Sequence, residues 1–163
     1  MIALQITELK AFMSKLLASS TFDDFLLQEA TLQMGIGYVI DGHINEAFYQ
    51  TDDETEQPHR PPFIPYGEVR GTLFELIKGK RTPLGFQVVL QLSPTRCAIL
   101  FPEGLDAHLI KGLLLNIRFD GSKAMITSGI SYYSFSLDKA PELIWDEALM
   151  NFLRGAGIVF EQI

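Results

Sequence analysis

Three stretches of this chain alternate apolar and polar residues with a period of two. In "FQVVLQL" (86–92), Phe86, Val88, Leu90 and Leu92 share one side. In "LLLNIRFD" (113–120), Leu113, Leu115, Ile117 and Phe119 do the same, with Asn116, Arg118 and Asp120 opposite. "SYYSFSL" (131–137) sets Tyr133, Phe135 and Leu137 against Tyr132, Ser134 and Ser136. Side chains of a strand point to alternate faces, so each run has one buried and one solvated face. That pattern calls for antiparallel pairing, because parallel strands are covered on both sides and read as continuous apolar runs. A further run, "FLLQEATLQM" (25–34), alternates through Leu26, Ala30, Leu32 and Met34, with Gln28 breaking the set.

Stripes at helical spacing stand between these runs. Leu9, Phe12, Met13, Leu16 and Leu17 form one, with Thr7 placed to cap it. Val69, Leu73, Leu76 and Ile77 form a second, over 68–78. Trp145, Ala148, Leu149 and Phe152 form a third, over 141–154. Pro141 suits its first turn, Asp138 is a candidate cap, and Gly155 and Gly157 can end it. Short strands are expected at 2–6, in "IGYVI" (36–40), "RCAILF" (96–101) and "KAMIT" (123–127), and at the end in "IVFEQI". Asp41-Gly42 and Asp120-Gly121 are hairpin-turn dipeptides, and Ile44, Ala47 and Phe48 suggest a short helical turn.

The order helix–strand–strand therefore occurs twice, after 8–18 and after 68–78. The expected fold is a single α+β domain over 1–163: a largely antiparallel, twisted sheet packed by about three helices. One stretch resists it. Residues 50–67, "QTDDETEQPHRPPFIPYG", hold four acids and four of the chain's eight prolines. Missing donors and like-charge repulsion disfavour helix and strand, so an exposed, mobile loop is expected.

Composition narrows the function classes. The formal net charge is −7. Residues 1–66 carry ten acids and three bases, which accounts for all of it; residues 67–163 carry ten of each. An acidic total argues against non-specific binding to nucleic acid or to anionic membranes. No apolar run approaches the roughly 20 residues of a membrane span, and no signal peptide is expected from "MIALQITELKAF". Cys97 is the only cysteine, which fits a reducing, cytoplasmic setting. A homodimer is the default assembly, since two-fold dimers are the commonest closed form.

"ELIKGKRTPLGF" (75–86) is the nearest thing to a functional motif. Lys78, Lys80 and Arg81 are candidate anion-binding residues. The segment differs from a phosphate-binding loop: Phe74 stands where the first glycine belongs, Arg81 takes the Ser/Thr place, and a helix ends here instead of starting. Gly79 and Lys78 first of all suit a helix terminus, with Pro83 forbidding continuation. "SLDK" (136–139) matches Ser-x-x-Lys without its companion motifs and reads as a strand end leading to a helix. Cys97 is expected in a strand, on one face with Ile99 and Phe101, as a small buried hydrophobe. His43, His59 and His108 have no metal-ligand spacing, and the acids Asp52, Asp53, Glu54 and Glu56 lack the glycine and alternation of a calcium loop. No metal or cofactor is expected. Tyr132, Ser134 and Ser136 could line a polar groove, or simply be the wet side of a strand.

Several segments together resemble an uncharacterised family of small bacterial proteins known only as a domain of unknown function. They are "MIALQITELKAFMSKLL", "FDDFLLQEA", "IDGHIN", "LIKGKRTPLGF", "GLLLNIRF", "SFSLDKAPELIWD" and "FLRGAGIVFE". The resemblance runs end to end and implies a bacterial, intracellular setting without catalytic residues to carry over. At the level of fold, the doubled element order is similar to the DNA sliding clamp, whose domains comprise two β-α-β-β-β units and whose acidic total coexists with a basic DNA-facing surface. The elements from residue 122 onward have no place in that pattern.

The absence of a nucleophile–base or metal constellation points to a binding or interaction module without catalytic activity. One alternative is an enzyme acting on a small anion, with Lys78, Lys80 and Arg81 as binders and His43 or a loop acid as base. Another is a clamp-like accessory protein associated with nucleic acid. Limited proteolysis is expected to cut first within 51–62, where apolar anchors are few. Equal protection of that segment and its flanks would contradict the loop reading.

Overall fold

The alternating runs become the middle of one sheet. The computed structural model describes residues 1–49, 61–101 and 107–163. Among them are strands β1 (Ala3–Ile6), β2 (Leu26–Gln33), β3 (Gly37–Asp41), β4 (Ile64–Pro65), β5 (Gly85–Gln91), β6 (Ile110–Phe119), β7 (Ala124–Tyr132) and β8 (Phe160–Gln162). They lie in the order β3-β2-β5-β6-β7-β1-β8, with the short β4 joined to β2 at Leu26 and Leu27. Every pairing is antiparallel. The fold is α+β, as the period-2 runs require.

Among the described residues four helices accompany the sheet: α1 (Leu9–Leu17), α2 (Tyr66–Ile77), α3 (Pro94–Leu100) and α4 (Ala140–Gly155). None is long and apolar enough to cross a membrane. One face of the sheet supplies the core through Leu27, Ala30, Leu32, Phe86, Val88, Leu90, Leu113, Leu115, Ile117 and Ile126. Phe12 and Leu16 of α1, Leu73 of α2, and Trp145 and Leu149 of α4 complete that core. The opposite face is wetter, and there Gln87 Nε2 donates to Asn116 Oδ1 at 3.0 Å across β5 and β6. The doubled order holds only in part: α1 leads directly to β2 and β3, whereas α3 stands between β5 and β6 after α2, and the two stretches meet where β2 pairs with β5.

Buried polar bonds fix the helices. Tyr66, fully buried, donates its hydroxyl to the Leu16 carbonyl at 2.8 Å. Burial pushes its phenol far above the usual tyrosine range. Arg70 grips Asp23 with two bonds, Nε to Oδ1 and Nη2 to Oδ2. Trp145 Nε1 donates to the Leu114 carbonyl at 2.9 Å, tying α4 to β6. Asp146 on α4 accepts the Ser128 hydroxyl of β7, and the same hydroxyl oxygen accepts the Ile2 N–H at 2.9 Å. α4 ends as its glycines suggest. Gly157 has φ 74°, its N–H bonds the Arg154 carbonyl, and the Ile158 N–H bonds the Leu153 carbonyl.

Five expectations need correction. "RCAILF" is not a strand but most of α3. Ser93 and Pro94 open that helix, proline being preformed for a first helical turn, and the Cys97 N–H closes onto the Ser93 carbonyl. "SYYSFSL" leaves the sheet after Tyr132, which faces Ile110, the first residue of β6. The partner strand has run out, and Tyr133, Phe135 and Leu137 stand 71, 87 and 82% exposed.

Asp41-Gly42 is not a primed turn. The β2–β3 connection lies at Met34–Ile36, and Gly42 has no positive φ. Instead the chain at Gly42 runs hard against β2, its N–H bonded to the Gln28 carbonyl. Thr7 does not cap α1, which starts at Leu9 without a side-chain cap. Finally, the loop expected over 50–67 lies outside the described residues for 50–60, and its remainder is structured. Phe63 bridges to His43, β4 pairs with β2, and Tyr66 opens α2.

Two glycines test this account. A Cβ on Gly42 would stand 1.7 Å from the Leu27 carbonyl oxygen, while one on Gly71, inside α2, meets nothing within 4 Å. Gly42→Ala should lose at least about 3 kcal/mol in chemical denaturation. Gly71→Ala should gain about 0.5–1 kcal/mol by restricting the unfolded chain. Similar midpoints for the two variants would refute the close approach at Gly42.

Candidate functional site

The sequence places Phe25 just before β2, Leu92 just after β5, Arg96, Ile99 and Leu100 on α3, and Trp145, Ala148 and Phe152 along one side of α4. Folding brings these residues around a cavity of about 360 Å³. Seven of these eight are apolar, and Arg96 is the only charged one among the described residues of the wall. α3 has no fully buried residue, and its Ile99 is 79% exposed. Three contacts orient side chains of the wall. Trp145 is anchored to the Leu114 carbonyl, Phe152 stacks edge-on to Phe25 at 5.3 Å, and Arg96 Nη2 donates to Asp24 Oδ2 at 2.9 Å.

A second, polar place lies at the end of β3. His43 Nδ1 sits 2.6 Å from Asp41 Oδ1, and the same oxygen accepts the His43 N–H at 2.9 Å. That backbone hydrogen bond, then the one from the ring, hold the Asp41 carboxyl below the usual carboxylate range. The His43 ring also rests on Phe63, with centroids 4.5 Å apart. Beside the pair is an open cleft of about 270 Å³, edged by Gln28, Glu29, Val39 and Val89. Glu29 faces Asp41 directly across β2 and β3. Both dyad side chains are mostly exposed, His43 at 67% and Asp41 at 72%.

The candidate cations do not join this dyad. Lys78 follows the last helical residue of α2 and pairs with Glu75 at 2.7 Å. Lys80 and Arg81 are exposed, with no charge partner among the described residues. Their segment enters the sheet where the Leu84 N–H bonds the Gln33 carbonyl, at the far end of β2 from the Gln28 carbonyl that holds Gly42. Five residues of strand separate the two points, about 17 Å at roughly 3.4 Å per residue. Gly79 has φ 145°, in the half of backbone space that favours glycine.

Nor is there a serine-lined groove on a strand. Tyr132 is the last residue of β7, its hydroxyl buried without a hydrogen-bond partner among the described residues. Burial, then Glu142 and Asp138, push its phenol up. Ser134 is exposed and Ser136 half-buried, both beyond the strand. Cys97 is partly buried on α3, and burial raises its thiol, which makes it a poor nucleophile. His108 lies in a short 3-10 turn, Ala107–Leu109; His59 and the acids at 52–56 lie outside the described residues. No group of three His, Cys, Asp or Glu among the described residues could hold a metal ion. The buried pair Ser128 and Asp146 was invisible in the sequence. Its bonds join β7, α4 and the segment before β1, and it serves the fold.

A family model, Family of unknown function (DUF5721), matches residues 15–161. The chain belongs to that family. The resemblance carried by "LIKGKRTPLGF", "GLLLNIRF" and "SFSLDKAPELIWD" thus leads to a family of unknown function. No curated protein and no solved structure matches the chain.

Gly79 and the adjacent cations separate a helix end from an anion site within this family member. Gly79→Val should cost on the order of 1–2 kcal/mol, because a β-branched side chain is strained at positive φ. The double variant Lys80→Ala/Arg81→Ala should shift stability by less than about 0.5 kcal/mol. It should also leave unchanged any affinity for DNA measured against rising salt. Submicromolar, salt-sensitive DNA binding that vanishes in the double variant would reverse this reading.

Proposed function

We propose that this protein is a binding module without catalytic activity, and that its ligand site is the apolar cavity between α3 and α4. The cavity carries the reading. Its volume falls in the range of small-molecule sites, its described walls are largely apolar and aromatic, and Trp145 on its wall is anchored to the Leu114 carbonyl. Among the described residues Arg96 is its only charged wall residue, and none of the described wall residues could act as nucleophile or base. The setting we assign is the bacterial cytoplasm, supported by the lone cysteine and the family resemblance, and the default assembly is a homodimer.

A second reading, an enzyme acting on a small anion, is favoured by one observation. Asp41 orients His43 through Nδ1 and leaves Nε2 directed elsewhere, as a general base requires. The cations that were to bind the substrate lie at the other end of β2, which weighs against it. Turnover of a small anion that disappears in His43→Ala would establish this reading instead. The clamp-like alternative rests on the doubled element order alone, which α3 interrupts between β5 and β6.

Trp145 is the only tryptophan and lies on the cavity wall, so its emission reports occupancy. A neutral apolar probe, N-phenyl-1-naphthylamine, should bind the full chain saturably and perturb that emission. Ala148→Phe, which fills the cavity from α4, should abolish binding while far-UV circular dichroism stays unchanged. Probe binding that survives Ala148→Phe, or no binding at all, would overturn the module reading.

A further inference from the structure

Arg96 changes what an apolar cavity can select. It is the third residue of α3, on the cavity wall, and its side chain is half exposed. Only Nη2 is engaged, by Asp24; Nε and Nη1 have no partner among the described residues. Guanidinium carries five donors in a rigid fork, so a second carboxylate can be accepted without losing the first. The Asp24–Arg96 pair is itself solvent-exposed and weak, so rearranging it costs little. Among the described residues no acid lines the wall itself, and the acid beside it, Asp24, is paired with Arg96.

We infer that the cavity binds an amphipathic monoanion: a carboxylate held on the free edge of Arg96, with an apolar tail against Leu92, Trp145 and Phe152. This rests on the binding-module reading of the same cavity. The geometry favours one negative charge over two. Among the described residues Arg96 is the only wall cation, and Asp24 already answers part of its charge, so the second charge of a dianionic phosphate head would meet Asp24 uncompensated. A neutral tail alone would leave the free Nε and Nη1 donors unused. The apolar walls in turn exclude small hydrophilic acids, which would bury nothing.

The test compares three probes with the same tail: decanoate, decan-1-ol and decyl phosphate. Each is titrated into the full chain below its micellar concentration, with Trp145 emission as readout. Decanoate should bind at least roughly tenfold tighter than decan-1-ol, the usual scale of one charge-assisted contact. Arg96→Gln should bring decanoate down to the affinity of decan-1-ol, and Ala148→Phe should abolish binding of both. Equal affinities for decanoate and decan-1-ol in the native chain would overturn this inference and leave the cavity reading intact. Tighter binding of decyl phosphate would overturn the carboxylate assignment. Silence from all three probes would overturn both inference and cavity reading. If the occupant is an apolar side chain of a second copy, probe affinity will fall as protein concentration rises, which also overturns the inference.

Discussion

One extra residue in β2 governs the geometry at its end of the sheet. The pairing of β2 with β5 shifts register between Leu27 and Glu29, so Gln28 has no opposite number. The bulge reverses which side chains point inward: Leu27, Ala30 and Leu32 share the core face although three residues, not two, separate the first pair. Gln28 is turned to meet Gln91, Nε2 to Oε1 at 2.7 Å, and Gln91 in turn occupies the space where Gly112 of β6 has no side chain. The Gln28 carbonyl receives the Gly42 N–H, which places His43 beside Asp41. A single unpaired residue thus links the edge of the sheet to its centre.

That bulge also shows what could be read in advance. The break at Gln28 was visible in the alternation, but a period of two does not say that the phase changes there. "FQVVLQL" and "LLLNIRFD" were legible because both faces of a central strand are dictated by burial. "RCAILF" was not, since a short apolar run fits strand and helix equally; the deciding signal was Ser93-Pro94, a helix start. "SYYSFSL" keeps a strand's pattern past Tyr132, where its partner β6 ends, and pairing is a property of two segments. Asp41-Gly42 has the composition of a hairpin turn, yet its glycine answers to the Leu27 carbonyl, a contact of tertiary structure.

The candidate site was illegible for the same reason. Phe25, Leu92, Arg96, Trp145 and Phe152 each read as ordinary core or surface residues of separate elements, and only folding makes them one wall. The feature that looked most functional, Lys78 to Arg81, marks the end of α2. The contrast follows from how the two are built. A helix terminus is written in adjacent residues, whereas a cavity between helices is written in the angle and spacing of elements far apart in the chain.

The position of β1 has a consequence for how the molecule comes into being. Leu4 faces Ile126 of β7 on one side and Gln162 of β8 on the other. A strand synthesised first is therefore inserted between two synthesised late. At roughly 5–20 residues per second, β1 waits about 6–24 s on the ribosome for its first partner. During that interval Leu4 and Ile6 have only neighbouring segments such as α1 for shelter. Such distant pairing also slows folding, because the chain must close a long loop before any ladder bond rewards it. The ladder of β1 therefore cannot form before β7 is made, and a nascent chain stalled before β7 would carry an unsatisfied strand for a chaperone to cover.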